Sequence, residues 1–134
     1  MLNLSSKYAS DNKFINNCIV ESFGIHARCL RDFFFKSDGK EGDMFAVDFI
    51  DNRSDWFKYI GGKQNVLNGV NSRVGKELAH LTYDRVGKTD EEKQWPKSDM
   101  AAEINKLAQD FFNMVPDNRL CDDAKVLKKT GDIF

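Results

Sequence analysis

The sequence predicts an all-α fold: a helical bundle of three long helices with one or two short helices in the crossover between the first two. Three observations carry that prediction. Apolar residues recur at spacings of three and four over three long stretches. Gly, Pro and Asn/Asp clusters punctuate the gaps between them. There is no repeat, heptad array or low-complexity tract. The 134 residues amount to a single domain, long enough to bury a core without disulfides or metals, with residues 1–9 and 117–134 peripheral to it.

The first helix is read from Ser10-Asp11, a cap with an acidic residue in the first turn. Ile15, Ile19, Ser22/Phe23, His26, Leu30 and Phe33 then form one stripe, and Ser37-Asp38-Gly39 stops it near Lys36. Gly24 inside the helix costs about 1 kcal/mol relative to alanine, which predicts close packing or a kink there. In the crossover, Lys40 to Asp43 is polar and exposed, whereas Met44-Phe45-Ala46-Val47-Asp48-Phe49-Ile50 is apolar on nearly every side and fits a short helix or a strand. Asn52 to Ser54 cap a short helical turn over residues 55–60, closed by Gly61-Gly62. The crossover is long enough for the next helix to run parallel or antiparallel to the first.

A second long helix is predicted over residues 64–85, with Leu67, Val70, Val74, Leu78 and Leu81 as its stripe, ended by Gly87-Lys88-Thr89-Asp90. Trp95-Pro96 marks a loop, and Trp56 and Trp95 read as lids on the bundle. Ser98-Asp99 caps the third helix, whose face is Met100, Ile104, Leu107/Ala108, Phe111 and Met114/Val115, stopped by Pro116-Asp117-Asn118. The tail is frayed, or docked by Leu127, Ile133 and Phe134.

Composition narrows the function classes. Lys+Arg 20 against Asp+Glu 21 leaves no overall pull toward nucleic acid or an anionic membrane. The eleven Phe point to a well-filled core. No basic region precedes an apolar run at the amino terminus, so no secretory signal is read, and Met44-Phe45-Ala46-Val47, the longest apolar run, is far too short to span a membrane. Cys18 and Cys29 fall on one helix about 16 Å apart. A disulfide needs about 4.4–6.8 Å between Cα atoms. Three unpaired cysteines fit a reducing cytoplasm, and no Cys/His spacing resembles a zinc site, so no metal and no other cofactor is expected.

The chemistry-bearing positions are the two histidines and their arginine neighbours. Arg73, Glu77 and His80 fall at i, i+4 and i+7, on one helix face, with Tyr83 three residues on and Arg85 at the helix end. Arg73 and His80 around one phosphodiester would suffice for metal-independent RNA cleavage, the imidazole moving a proton and the guanidinium stabilising the phosphorane oxygens. The structural reading makes Arg73–Glu77 a surface i,i+4 pair and His80 a half-buried polar residue. His26 sits on the apolar stripe and reads as a buried, hydrogen-bonded imidazole. Arg28 points elsewhere and pairs with Asp32. Buried polar groups need partners, so His26, Arg28, Glu77, Tyr83 and Arg85 are the expected polar network.

Two stretches, Glu21 to Phe35 and Arg73 to Arg85, resemble the hallmark segments of a group of bacterial helical proteins without an assigned activity: Ser-Phe-x-Ile-His-Ala-Arg-x-Leu-x-Asp-Phe, then Ala-His-Leu-Thr-Tyr-(Glu/Asp)-Arg. Asp48-Phe49 and Trp95 fit the same pattern. More broadly, the chain is similar to HEPN domains, helical bundles that often act as ribonucleases through an Arg-x(4–6)-His motif. Arg73-x(6)-His80 matches that spacing at its long limit, and Val74 stands where active members often carry a polar residue. The HEPN resemblance implies catalysis by Arg73 and His80 in a homodimer acting on RNA. The reading set ahead of it is a cytoplasmic binding or interaction module with a buried His–Arg network. Its partner, whether a protein, RNA or a second copy, is left open.

Overall fold

A computed structural model describes residues 12–62, 66–79, 87–89, 91–92 and 94–131. All regular structure among them is helical. Helix α1 is Lys13–Phe35 and α2 is Arg53–Gly61. Helix α3, Val66–Arg73, runs on into a π-helical turn, Val74–Ala79. Helix α4 is Lys97–Met114 and α5 is Asp122–Thr130. The amino-terminal cap of α1 is Asn12, whose side-chain oxygen accepts from the Phe14 N–H at 2.9 Å.

Contacts between helices fix their directions. A Cβ built on Gly24 of α1 would lie 2.3 Å from Leu78 Cδ1, Arg28 passes over Gly75, and Arg31 Nε donates to Asn68 Oδ1 at 3.0 Å. As α1 ascends, its partners on the α3 segment descend, so the two are antiparallel. The Leu67 N–H donates to Glu103 Oε2 at 3.1 Å while Arg73 stacks on Trp95, so α4 is antiparallel to α3 and runs the same way as α1.

The expected burial of His26 is corrected. Its side chain is exposed, as are Ile15 at 44% and Ile25 at 45%. Helix α1 carries apolar residues on two faces, and the packed one is centred on Gly24, Ala27 and Phe34, about a third of a turn from His26. The reason is steric. Gly24 and Ala27 put little side chain between the backbones, so α3 and its π turn approach closely on that side, as they could not over the bulk of the other.

One end of the bundle is aromatic. Phe111 of α4 has ring centroids of Phe33, Phe34, Phe49, Trp56 and Phe112 within 5.3 to 6.1 Å, mostly edge to face. Trp56 is not a lid: it is 0% exposed in the core, and its indole N–H donates to the Phe34 carbonyl at 3.0 Å. That carbonyl lies in the last turn of α1, where no helical partner remains, so the indole answers a group that burial would otherwise orphan. Beside it the Tyr59 hydroxyl donates to Asp110, and burial, then the Asp110 carboxylate, push the phenol above its ordinary range. The apolar segment before α2 is a 3₁₀ turn, Ala46–Asp48, held by the Phe45 N–H on Asp48 Oδ2 at 3.0 Å. Phe45, Ala46, Val47 and Ile50 are buried because the segment packs against both α1 and α2, while Met44 and Asp48 face solvent.

The tail is docked as far as Gly131. Lys128 Nζ donates to the Val115 carbonyl at 2.9 Å, and Gln109 Nε2 to the Gly131 carbonyl at 2.8 Å. Gly131 ends α5 at φ +70°, a left-handed conformation that glycine adopts without a Cβ clash. Residues 1–9, Ile133 and Phe134 lie outside the described residues. Among the described residues no helix is long and apolar enough to cross a membrane, no group of His, Cys, Asp and Glu could hold a metal ion, and Cys18, Cys29 and Cys121 are free and exposed.

Candidate functional site

The end of the bundle opposite the aromatic cluster is polar, and its centre is Glu77. This carboxylate is 5% exposed, the only charged side chain so deeply buried among the described residues. It lies in the π turn, where one extra residue per turn displaces side chains from their α-helical register. Arg73, four residues earlier, grips it with a fork: Nε on Oε1 at 3.0 Å and Nη2 on Oε2 at 3.1 Å. Lys88 reaches the same carboxylate from the following connection. Burial by itself would raise the Glu77 pKa. The bonds and charges of Arg73 and Lys88 outweigh it, and the net direction is down.

Arg73 has further duties. Its Nη1 donates to the Gln94 carbonyl at 3.2 Å and its Nη2 to the Glu92 carbonyl at 2.9 Å, and the guanidinium lies 4.4 Å from the Trp95 ring centroid. Four of its five N–H donors are therefore committed. The Thr89 N–H donates to Glu92 Oε2 at 2.8 Å, and the Glu92 N–H returns to Thr89 Oγ1 at 3.3 Å, squaring the turn that presents the Glu92 carbonyl. Arg73 and Glu77 thus fasten the chain leading into α4 onto the end of α3.

Beside this cluster opens a cleft of about 350 Å³ between the first half of α1, the π turn and the start of α4. Val20, Leu78 and Trp95 give it apolar lining; Glu21, Glu77 and Lys97 give it charge; Asn17 and Gln94 supply amides. Leu78 can stand there because Gly24, beneath it on α1, has no side chain.

Set against the sequence expectations, Arg73 and Glu77 do meet, with the carboxylate buried where a surface pair was expected. Arg28 is half-buried, its Nη1 3.7 Å from where a Gly75 Cβ would be, and it forms no ion pair with a described residue. His26 points away from the cluster. His80, Tyr83 and Arg85 lie outside the described residues. Val74, next to Arg73, is 1% exposed and offers no polar group. Sequence reasoning passed over Lys88 and Lys97 and read Trp95 as a lid. Glu77 itself carried a signal: it falls three residues after Val74 and beside Leu78, at the edge of the apolar stripe, where a carboxylate needs cations.

Compared with protein-family models, with curated proteins and with solved structures, the chain matches none.

Proposed function

We propose that this chain is a binding module whose ligand enters the cleft beside Glu77, and that the Arg73–Glu77–Lys88 cluster is the scaffold holding that cleft open. The observation that carries this reading is the commitment of Arg73. A ribonuclease built on Arg73 and His80 needs a guanidinium free to meet phosphorane oxygens in the transition state. Here the guanidinium is divided among a buried carboxylate, two carbonyls and a tryptophan face. Releasing it would leave the buried Glu77 with Lys88 alone and undo the anchoring of the two carbonyls. A pocket at the low end of the range for small-molecule sites, mixing apolar lining with a few polar groups, is the other support. The three exposed thiols favour the cytoplasm as its compartment, and the bundle built on α1, the α3 segment and α4 is its rigid frame.

Amide chemical-shift mapping with a metabolite library, on the full chain, is the test. Shifts confined to residues around Val20, Leu78 and Lys97 are the expected result. Metal-free cleavage of RNA by the wild type, lost in a folded His80→Ala variant, would replace this reading with the HEPN-like ribonuclease.

A further inference from the structure

Accepting that the cleft binds a ligand, we infer that the ligand is a small zwitterion with an apolar side chain, of the α-amino acid class. Glu77 lines the cleft but is neutralised there by two cations, so it offers little pull of its own. The charges that address the space are Glu21 on α1 and Lys97 at the first position of α4. They stand on different walls and have opposite sign.

Lys97 is half-buried, and although its backbone N–H donates to the Trp95 carbonyl at 2.7 Å, its ammonium has no hydrogen bond or ion pair with any described residue. An ammonium partly withdrawn from water gains most from an anionic partner, and a ligand carboxylate forms a charge-assisted bond with it. Glu21 already engages another group. Its two oxygens nevertheless have lone pairs enough to accept from a ligand ammonium as well. The apolar lining of Val20, Leu78 and the Trp95 ring suits a hydrocarbon or thioether side chain. A monocation would leave Lys97 unanswered, and a monoanion would bring no donor to the remaining lone pairs of Glu21. A molecule carrying both charges serves both walls.

Calorimetry on the full chain is the experiment, with L-leucine as probe and three truncations of it: 4-methylpentanoate without the ammonium, isoamylamine without the carboxylate, and glycine without the side chain. Leucine is expected to bind with each truncation at least tenfold weaker. Lys97→Met, which keeps the aliphatic stem, should weaken leucine at least tenfold while the melting temperature stays within a degree or two. Glu21→Gln should restore 4-methylpentanoate toward the affinity of leucine. Equal affinity for leucine and 4-methylpentanoate, or leucine binding indifferent to Lys97→Met, overturns the inference. If library metabolites shift cleft residues while leucine, methionine and phenylalanine do not, the zwitterion fails and the binding module stands. If nothing shifts the cleft, both fail.

Discussion

Arg73 lies over Trp95, its guanidinium carbon 4.4 Å from the ring centroid, while the same group is forked onto Glu77. One side chain therefore joins a helix, a buried charge and the loop that leads into α4. Removing either end of the fork tests whether the cluster acts as a unit. Breaking a buried pair costs about 3–5 kcal/mol. Arg73 and Lys88 are 26% and 27% exposed, so solvent takes up part of the stranded charge. Glu77→Gln is expected to lower stability by about 1–3 kcal/mol. The Arg73→Met, Glu77→Gln double variant should fall short of the sum of the singles by about 1 kcal/mol in urea unfolding, and additive losses would show the two do not cooperate.

Acid should undo this cluster only below the ordinary carboxylate range. The Glu77 carboxyl titrates lower in the fold than in the open chain, because Arg73 and Lys88 favour its charged form. Its contribution is therefore complete above about pH 4.3, the open-chain value, and drains away as the pH falls toward and through the lower folded value. Asp32, bonded by Lys36 and Arg31 at 2.8 Å each, shifts in the same direction and adds to the slope. Melting temperature followed from pH 6 to pH 2 should drop steeply in the wild type and less steeply in Glu77→Gln. Parallel curves would remove Glu77 from the acid response.

Gly24 and Leu78 make the third test. A Cβ at Gly24 meets Leu78 Cδ1 at 2.3 Å, well inside contact distance, although that methyl is the mobile end of its side chain. Gly24→Ala should change stability little, since the roughly 1 kcal/mol gained in helix propensity offsets a turned Leu78. Gly24→Val should cost about 1–3 kcal/mol through overpacking. Adding Leu78→Ala should recover part of that loss, measured by denaturant unfolding. A double variant as unstable as the summed singles would place the strain elsewhere.

How much of this was legible in the chain differs by element. The three-and-four spacing of Met100, Ile104, Leu107 and Phe111 marks α4 plainly, since one face alone is apolar. Helix α1 misled because Ile15, Ile19 and His26 make as good a stripe as Val20, Gly24, Ala27 and Phe34; the small residues, not the large ones, mark the packed side. At the site, Arg73 and Glu77 announce themselves by spacing. The π turn has no periodic signature within six residues. Lys88 and Trp95 reach the cluster only through tertiary closure of a connection, which local pattern does not encode.

Trp56 is sealed at the aromatic end with its N–H on a carbonyl, and Trp95 borders the cleft under a cation. The molecule thus carries two native optical reporters in unlike surroundings, one at each pole. Emission from Trp56 registers collapse or melting of the hydrocarbon interior, and quenching at Trp95 registers any rearrangement at the ionic pole. With each indole replaced in turn by phenylalanine, the order in which the two poles come apart can be followed without attaching a dye.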